Sequence, residues 1–172
     1  MRLNSDEAIV FIKDPLQLAL KQQVGVDLTI NKIKVIRQYK KNGVFKTYTK
    51  IEEQWTYKEI EAYPLSFKED ENLEGWLLPS GIYSLTFDQG IELPNNVSAN
   101  IIERSSFNRL GNQIKSSIYD PGFKVEKMGA TLYLNFPMLI EKHSRVAQIV
   151  MEYNKPIKNI YNGQFQNEKD KK

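Results

Sequence analysis

The stretch "ERSSFNRLGNQIKSSIYDPGF", residues 103–123, gathers Arg104, Ser105, Ser106 and Arg109 and then, eleven residues past Arg109, an aspartate, Asp120. Guanidiniums, hydroxyls and the backbone N–H groups between them suit a polyanion, because charge-assisted bonds to phosphate oxygens are strong and directional. Asp120 precedes Pro121-Gly122, a pair that turns the chain and projects the carboxylate from a strand end. A carboxylate placed there can take a proton from a nucleophile held beside the anion. The chemistry implied is phosphate recognition coupled to one acid–base residue. A core segment needs none of these groups.

The rest of the composition narrows the classes. The chain has one histidine, His143, and no cysteine, so a thiolate site or a His-rich zinc site is not expected and no protein metal ligand is assigned. His143 reads as a surface turn residue. A length of 172 residues suits one domain with a substantial core. The expected organisation is a single domain over residues 1–160 followed by a flexible arm over 161–172. There is no apolar run of about 18 residues, and "MRLNSDEAIVFIKD" lacks the apolar region and cleavage site of a leader. Cytoplasm is the expected compartment, with no membrane partner. Net charge is +3 but unevenly spread. Residues 32–50 carry seven Lys/Arg and no acid, and residues 51–74 carry eight Asp/Glu and two Lys. Opposite blocks of this kind suit a solvated strand pair whose charges face each other.

The elements that must position these residues are mostly strands. Asn4 or Ser5 with Asp6 and Glu7 signals a helix start, limited by Pro15, and a second short helix is expected over 15–23. From Val24 the pattern changes: Val24, Val26, Leu28 and Ile30 alternate, then Ile33 and Val35. Asn42-Gly43 suits a hairpin turn. Short β runs follow, broken by Pro79-Ser80-Gly81, Gln89-Gly90 and Pro94-Asn95-Asn96, with further strands in "GATLYLNF" and "RVAQIVMEY". Many short strands with frequent turn signals indicate a mainly β sandwich or jelly roll with a small helical N-terminus.

Five stretches, "VGVDLTI", "LPSGIYSLTFDQGIELPNNVSANIIERSSFNRLG", "IYDPGF", "RVAQIV" and "YNGQFQ", resemble in order and spacing the superfamily of dCTP deaminases and dUTP diphosphatases. The resemblance implies a distorted β jelly roll, a homotrimer and active sites between subunits. It implies that Arg104, Ser105, Ser106 and Arg109 bind the triphosphate of a deoxynucleotide, that Gln148 bonds the phosphates or a nearby water, and that Phe123 packs on the deoxyribose. It implies Asp120 as the group that orients and deprotonates the attacking water, with Mg²⁺ carried mainly by the substrate phosphates. Tyr161 and Phe165 match an aromatic arm that covers the nucleotide. Asp27 matches a family aspartate near the subunit junction; strand-end and substrate roles both stand for it.

The two activities of the superfamily share one pocket. Deaminases carry a glutamate in the strand after "DPGF"; here that position falls at Tyr133 or Leu134, or at Ala130 without a gap. None is a carboxylate, and losing acid–base assistance costs typically about 10²–10⁴ in rate. The expected activity is therefore dUTP hydrolysis to dUMP and pyrophosphate. "KVEKM" puts five residues where the family usually has one, and its Glu126 keeps a deaminase or bifunctional enzyme open, beside a catalytically silent nucleotide binder. A basic hairpin with Tyr39, Phe45 and Tyr48 could also bind single-stranded nucleic acid. That reading leaves the Arg-Ser-Ser and Asp-Pro-Gly-Phe stretches unexplained, and no nucleic-acid partner is expected.

Overall fold

The computed structural model describes residues 1–38, 55–64, 73–155, 162–163 and 166. The Asn42-Gly43 hairpin, Tyr39, Phe45, Tyr48, Tyr161 and Phe165 lie outside the described residues. Helix α1, Ser5–Ala8, begins with a capping box in which the Asn4 side chain accepts from Glu7 N and the Glu7 carboxylate accepts from Asn4 N. This is the start that the sequence predicts.

The strands are β1 Ile12–Lys13, β2 Leu20–Lys21, β3 Val26–Gln38, β4 Trp55–Ile60, β5 Tyr63–Pro64, β6 Glu74–Leu78 and β7 Gly81–Phe87, then β8 Gly90–Glu92, β9 Val97–Glu103, β10 Gln113–Lys115, β11 Lys124–Val125, β12 Gly129–Leu134, β13 Met138–Glu141 and β14 Arg145–Tyr153. A second helix, α2 Ser105–Arg109, follows β9. Strands β14, β9, β10, β12, β7 and β3 pair in that order, and β3 pairs again with β14, which closes a six-strand ring. Two three-stranded sheets, β1-β8-β11 and β13-β6-β5, flank it. The mainly β, jelly-roll-like expectation holds. Among the described residues no helix is long and apolar enough to cross a membrane.

Side-chain phase follows the sequence closely in β3. Val26, Leu28 and Ile30 are fully buried, and so is Ile33. The alternation breaks there because the β3–β7 register shifts between Ile30 and Lys32. One extra residue in a strand moves the following side chains to the other phase. Farther along, Lys34 stands opposite Glu59 on β4, and Lys32 Nζ lies 3.3 Å from Glu59 Oε2. The facing of opposite charges is thus realised within the described part of that pair.

Residues 15–23 do not form the expected second helix. Gln17 takes a positive φ of 55°, which breaks a helix. Asp14 organises the segment as a turn instead: its carbonyl accepts from Gln17 N at 3.1 Å and its carboxylate from Ala19 N at 2.6 Å. Leu20 then pairs with Asp27 on β3. Leu16 and Leu20 are exposed, so no apolar face existed to hold a helix down.

The "KVEKM" segment is a built element. Lys124 and Val125 pair with Glu92 and Ile91 of β8. Met128 is fully buried, donates its N–H to Gln89 O at 2.8 Å and accepts from Phe87 N at 2.9 Å. The segment lies directly on Gly90, where an added Cβ would stand 2.2 Å from Glu126 O and 2.5 Å from Val125 O. Only a residue without a Cβ permits that approach. Gly90→Ala is expected to destabilise the fold by about 1–3 kcal/mol through backbone displacement. Urea unfolding measures it, and native-state hydrogen exchange at the Met128 amide locates it. An unchanged midpoint and unchanged exchange would show that the segment is not packed this way.

Candidate functional site

Phe107, buried in the core, anchors α2 beneath its exposed residues Ser105, Ser106 and Arg109. Arg104 caps its start in an extended conformation, with its carbonyl accepting from Phe107 N and Asn108 N. The neighbouring Glu103 is engaged elsewhere, accepting from Asn108 Nδ2 at 2.9 Å and Ile114 N at 3.2 Å. Arg104 turns instead to the junction of β3 and β14. Its Nε lies 3.2 Å from Asp27 Oδ2, and its Nη1 donates to Arg145 O at 3.2 Å. Its backbone N–H donates to Val146 O at 3.0 Å.

A bulge makes this possible. The β14–β3 register shifts between Arg145, opposite Thr29, and Ala147, opposite Leu28. An extra residue in the strand leaves part of the ladder unpaired. The carbonyls of Arg145 and Val146 are there to receive Arg104.

Asp27 is 1% exposed. Its Oδ2 also accepts from Gln22 Nε2 at 2.9 Å, while Oδ1 is buried with no hydrogen-bond partner among the described residues. Burial, the strongest influence, raises its pKa above the ordinary value of 3.8, against the lowering effects of Arg104, the Gln22 bond and Arg145. Gln148 is paired directly opposite Asp27, which puts the two side chains on one face. One cluster therefore holds Asp27, Arg104 and Gln148.

Asp120 occupies a second cluster. Phe123 N donates to Asp120 O at 3.0 Å, with Pro121 and Gly122 between them and Gly122 at φ 83°. This is a type II turn, whose third position requires the positive φ that glycine supplies without strain. The turn is held on several sides. Gly122 N donates to Pro94 O and Leu93 N donates to Phe123 O. The Tyr119 ring lies 5.1 Å from that of Phe123, and its hydroxyl donates to Gly129 O at 2.6 Å. Burial pushes the Tyr119 phenol well above its ordinary range, so it remains a donor. Gln166 brackets Phe123, donating from Nε2 to Gly122 O at 3.0 Å and accepting from Lys124 N at 3.1 Å. Asp120 itself is exposed, whereas Phe123 is only 8% exposed and packs in the core.

Among the described residues no hydrogen bond or ion pair joins Asp120 to Arg104, Ser105, Ser106 or Arg109. The sequence residues thus fall into two groups on one chain. Sequence reasoning missed Gln22, Arg145 and Gln166, and it left Asp27 undecided. No local pattern marks them: Gln22 and Asp27 meet through a turn, and Gln166 lies 44 residues from the backbone it bonds. Strand β12, Gly129–Leu134, carries no carboxylate, and Glu126 is exposed.

Residues 3–154 match the dCTP deaminase-like family. The chain belongs to that family. A probable deoxyuridine 5'-triphosphate nucleotidohydrolase of Methanosarcina acetivorans is 29% identical over 153 residues, which is 87% of this chain and 82% of the relative. The deoxyuridine 5'-triphosphate nucleotidohydrolase of Methanocaldococcus jannaschii is 30% identical over 150 residues, 87% of this chain and 89% of the relative. A dCTP deaminase of Sulfurisphaera tokodaii is 30% identical over 157 residues, 91% of this chain and 79% of the relative. The crystal structure of 2'-deoxycytidine 5'-triphosphate deaminase from Agrobacterium tumefaciens shares the fold, with a TM-score of 0.59 and 18% identity. That likeness covers 87% of this chain and 46% of the other.

In this dCTP deaminase-like chain, Asp27 makes stability depend on pH in a definite direction. Because its pKa is raised in the folded state, its contribution is fully present below 3.8, the unfolded value, and is lost as pH rises through the folded value. Asp27→Asn removes this titration. Relative to the variant, the wild-type protein is expected to lose stability as pH rises above 3.8 and through the raised folded value, read from thermal melts across an acid-to-neutral series. Parallel profiles for the two proteins would contradict the assignment.

Proposed function

We propose that the protein hydrolyses dUTP to dUMP and pyrophosphate. The observation that carries this reading is the pairing of an exposed aspartate at the 120–123 turn with a β12 strand that has no carboxylate. The names of the Methanosarcina and Methanocaldococcus relatives support the same activity.

Ser105, Ser106 and Arg109 stand exposed on α2 and receive the triphosphate. Arg104 contributes the part of its guanidinium not committed to Asp27 and the Arg145 carbonyl. Asp120 accepts a proton from water as the water oxygen attacks the α-phosphorus. The bond from that phosphorus to the bridging oxygen breaks, and pyrophosphate leaves with the electron pair. Positioning and charge neutralisation dominate such a reaction. Among the described residues no group of three or more His, Asp or Glu could hold a metal ion. A magnesium ion would be carried by triphosphate oxygens and its own waters, as this ion prefers. When bound, it neutralises charge on the phosphates.

The resemblance of the five sequence stretches to the superfamily supports a homotrimer whose sites lie between subunits. Light scattering should then give about three times 20.0 kDa. A stable, active monomer would rule that out. A second reading, dCTP deamination, is favoured by the exposed Glu126 just before β12 and by the Sulfurisphaera relative.

Incubation with dUTP or dCTP plus Mg²⁺, resolved by ion-exchange chromatography, separates the two. dUMP and pyrophosphate are expected from dUTP, with dCTP unchanged. Formation of dUTP or dUMP from dCTP would overturn the assignment. Asp120→Asn should cut turnover by about 10²–10⁴-fold while leaving the affinity for a non-hydrolysable dUTP analogue intact. Arg109→Ala should instead weaken that affinity, because it removes a charge-assisted phosphate contact. Calorimetry on both variants decides; the opposite pattern would exchange their roles.

A further inference from the structure

The segment that follows Asp120 is held along two edges. On one, Phe123 O accepts from Leu93 N at 2.9 Å, and Lys124 and Val125 pair with Glu92 and Ile91 of β8. On the other stands the Gln166 side chain. Its Nε2 donates to Gly122 O at 3.0 Å, and its Oε1 accepts from Lys124 N at 3.1 Å. Gln166 is half-buried and is presented by a tight turn of its own, its N–H donating to Gly163 O at 3.0 Å.

This contact is chemically specific to an amide. The Gly122 carbonyl needs a donor and the Lys124 N–H needs an acceptor, and a primary amide offers both. A carboxylate offers acceptors only, and an apolar chain offers neither. The two partners also fix which way the amide points. Gln166 thus does for this edge what a paired strand does for the other.

The contact has leverage on Asp120. Gly122 O and Phe123 N belong to one peptide group, which is planar. Phe123 N donates to Asp120 O at 3.0 Å. One rigid plate is therefore bonded at its oxygen to Gln166 and at its nitrogen to the carbonyl of Asp120. Gly122, at φ 83°, is the residue about which the plate would turn, since glycine enters both signs of φ at little cost. Turning it breaks the bond to Asp120 O and redirects the backbone that carries the carboxylate. The Asp120 side chain is exposed, so its direction follows its backbone rather than a packed surround.

We propose that Gln166 is a positioning residue for Asp120: it fixes the Gly122–Phe123 peptide plane, and that plane fixes the turn from which the carboxylate is presented. The effect on turnover rests on the hydrolytic reading above; the clamp itself does not.

Gln166→Ala removes both bonds, and Gln166→Glu keeps the acceptor but loses the donor. Hydrogen exchange without nucleotide reads the clamp. In Gln166→Ala the Lys124 amide should exchange about tenfold faster or more, as expected of local opening, while the core amide of Ile101 keeps its rate. With dUTP and Mg²⁺, kcat of Gln166→Ala should fall about 10–100-fold with KM within about threefold, because a misplaced group costs the chemical step rather than binding. Gln166→Glu should be as slow at neutral pH. Its rate relative to wild type should recover below about pH 5, where a protonated glutamate regains a donor. Loss of packing alone would give no such recovery. An unchanged Lys124 exchange rate in Gln166→Ala would overturn the clamp, whatever the substrate. Unchanged kcat, a rise in KM alone, or no recovery of Gln166→Glu would overturn the positioning role. A wild-type protein inactive on dUTP would sink the hydrolytic reading and the positioning role together, with faster Lys124 exchange still marking the clamp.

Discussion

Strand β14 hydrogen-bonds along both edges, to β3 on one side and β9 on the other, and that double pairing closes the ring. An open sheet would leave an unpaired edge and an uncovered apolar face. Closure buries Val26, Leu28, Ile101, Ile149 and Met151 together. It also sets the register from which the candidate site follows. Gln148 stands opposite both Asp27 and Ile102, so residues distant in the chain are brought to one line across three strands.

The bulge in β14 is the local price of that closure, and it carries the site's electrostatics. Two successive carbonyls, of Arg145 and Val146, accept from Arg104. The guanidinium is thereby aimed at a carboxylate buried behind it. Burial of Asp27 alone favours the neutral acid, and Arg104 with Gln22 opposes this. A buried ion pair of this type adds little net stability, since desolvation offsets the attraction. Its consequence is orientational: Arg104 stays at the head of α2, beside the exposed serines.

The 120–123 turn depends on a different set of constraints. Backbone bonds from the 93–94 segment, the Tyr119 ring and the Gln166 amide all converge on it. They fix the backbone while the Asp120 carboxylate remains exposed. The adjoining insertion continues the same logic, with Val125 and Met128 sunk into the core and Lys127 directed to the polar network around Asp88. Buried polar groups are tolerated there because each oxygen of Asp88 finds a donor.

Much of this was written locally. Alternation in residues 24–35 marked β3, because a strand has period two whatever it pairs with; the register shift after Ile30 came only from pairing with β7. The capping box at Asn4 and the type II turn at Asp120 are likewise short-range chemistry, legible from four residues each. The segment 15–23 misled: a second helix was expected there after Pro15, but Asp14 captured the backbone N–H groups first, and no core face waited for Leu16. Other features depended on contacts between distant parts of the chain. Arg104 sat beside Glu103 in the sequence, yet it chose Asp27, since strand closure placed the buried carboxylate and the bulge carbonyls within its reach. Gln166 found Phe123, and Lys127 found Asn31, by the same route. The sequence by itself determined which segments would be strands, turns and caps, and which groups could bind phosphate. Only the tertiary structure decided which charge met which, because pairing is settled by register and burial, and neither is a property of any local stretch.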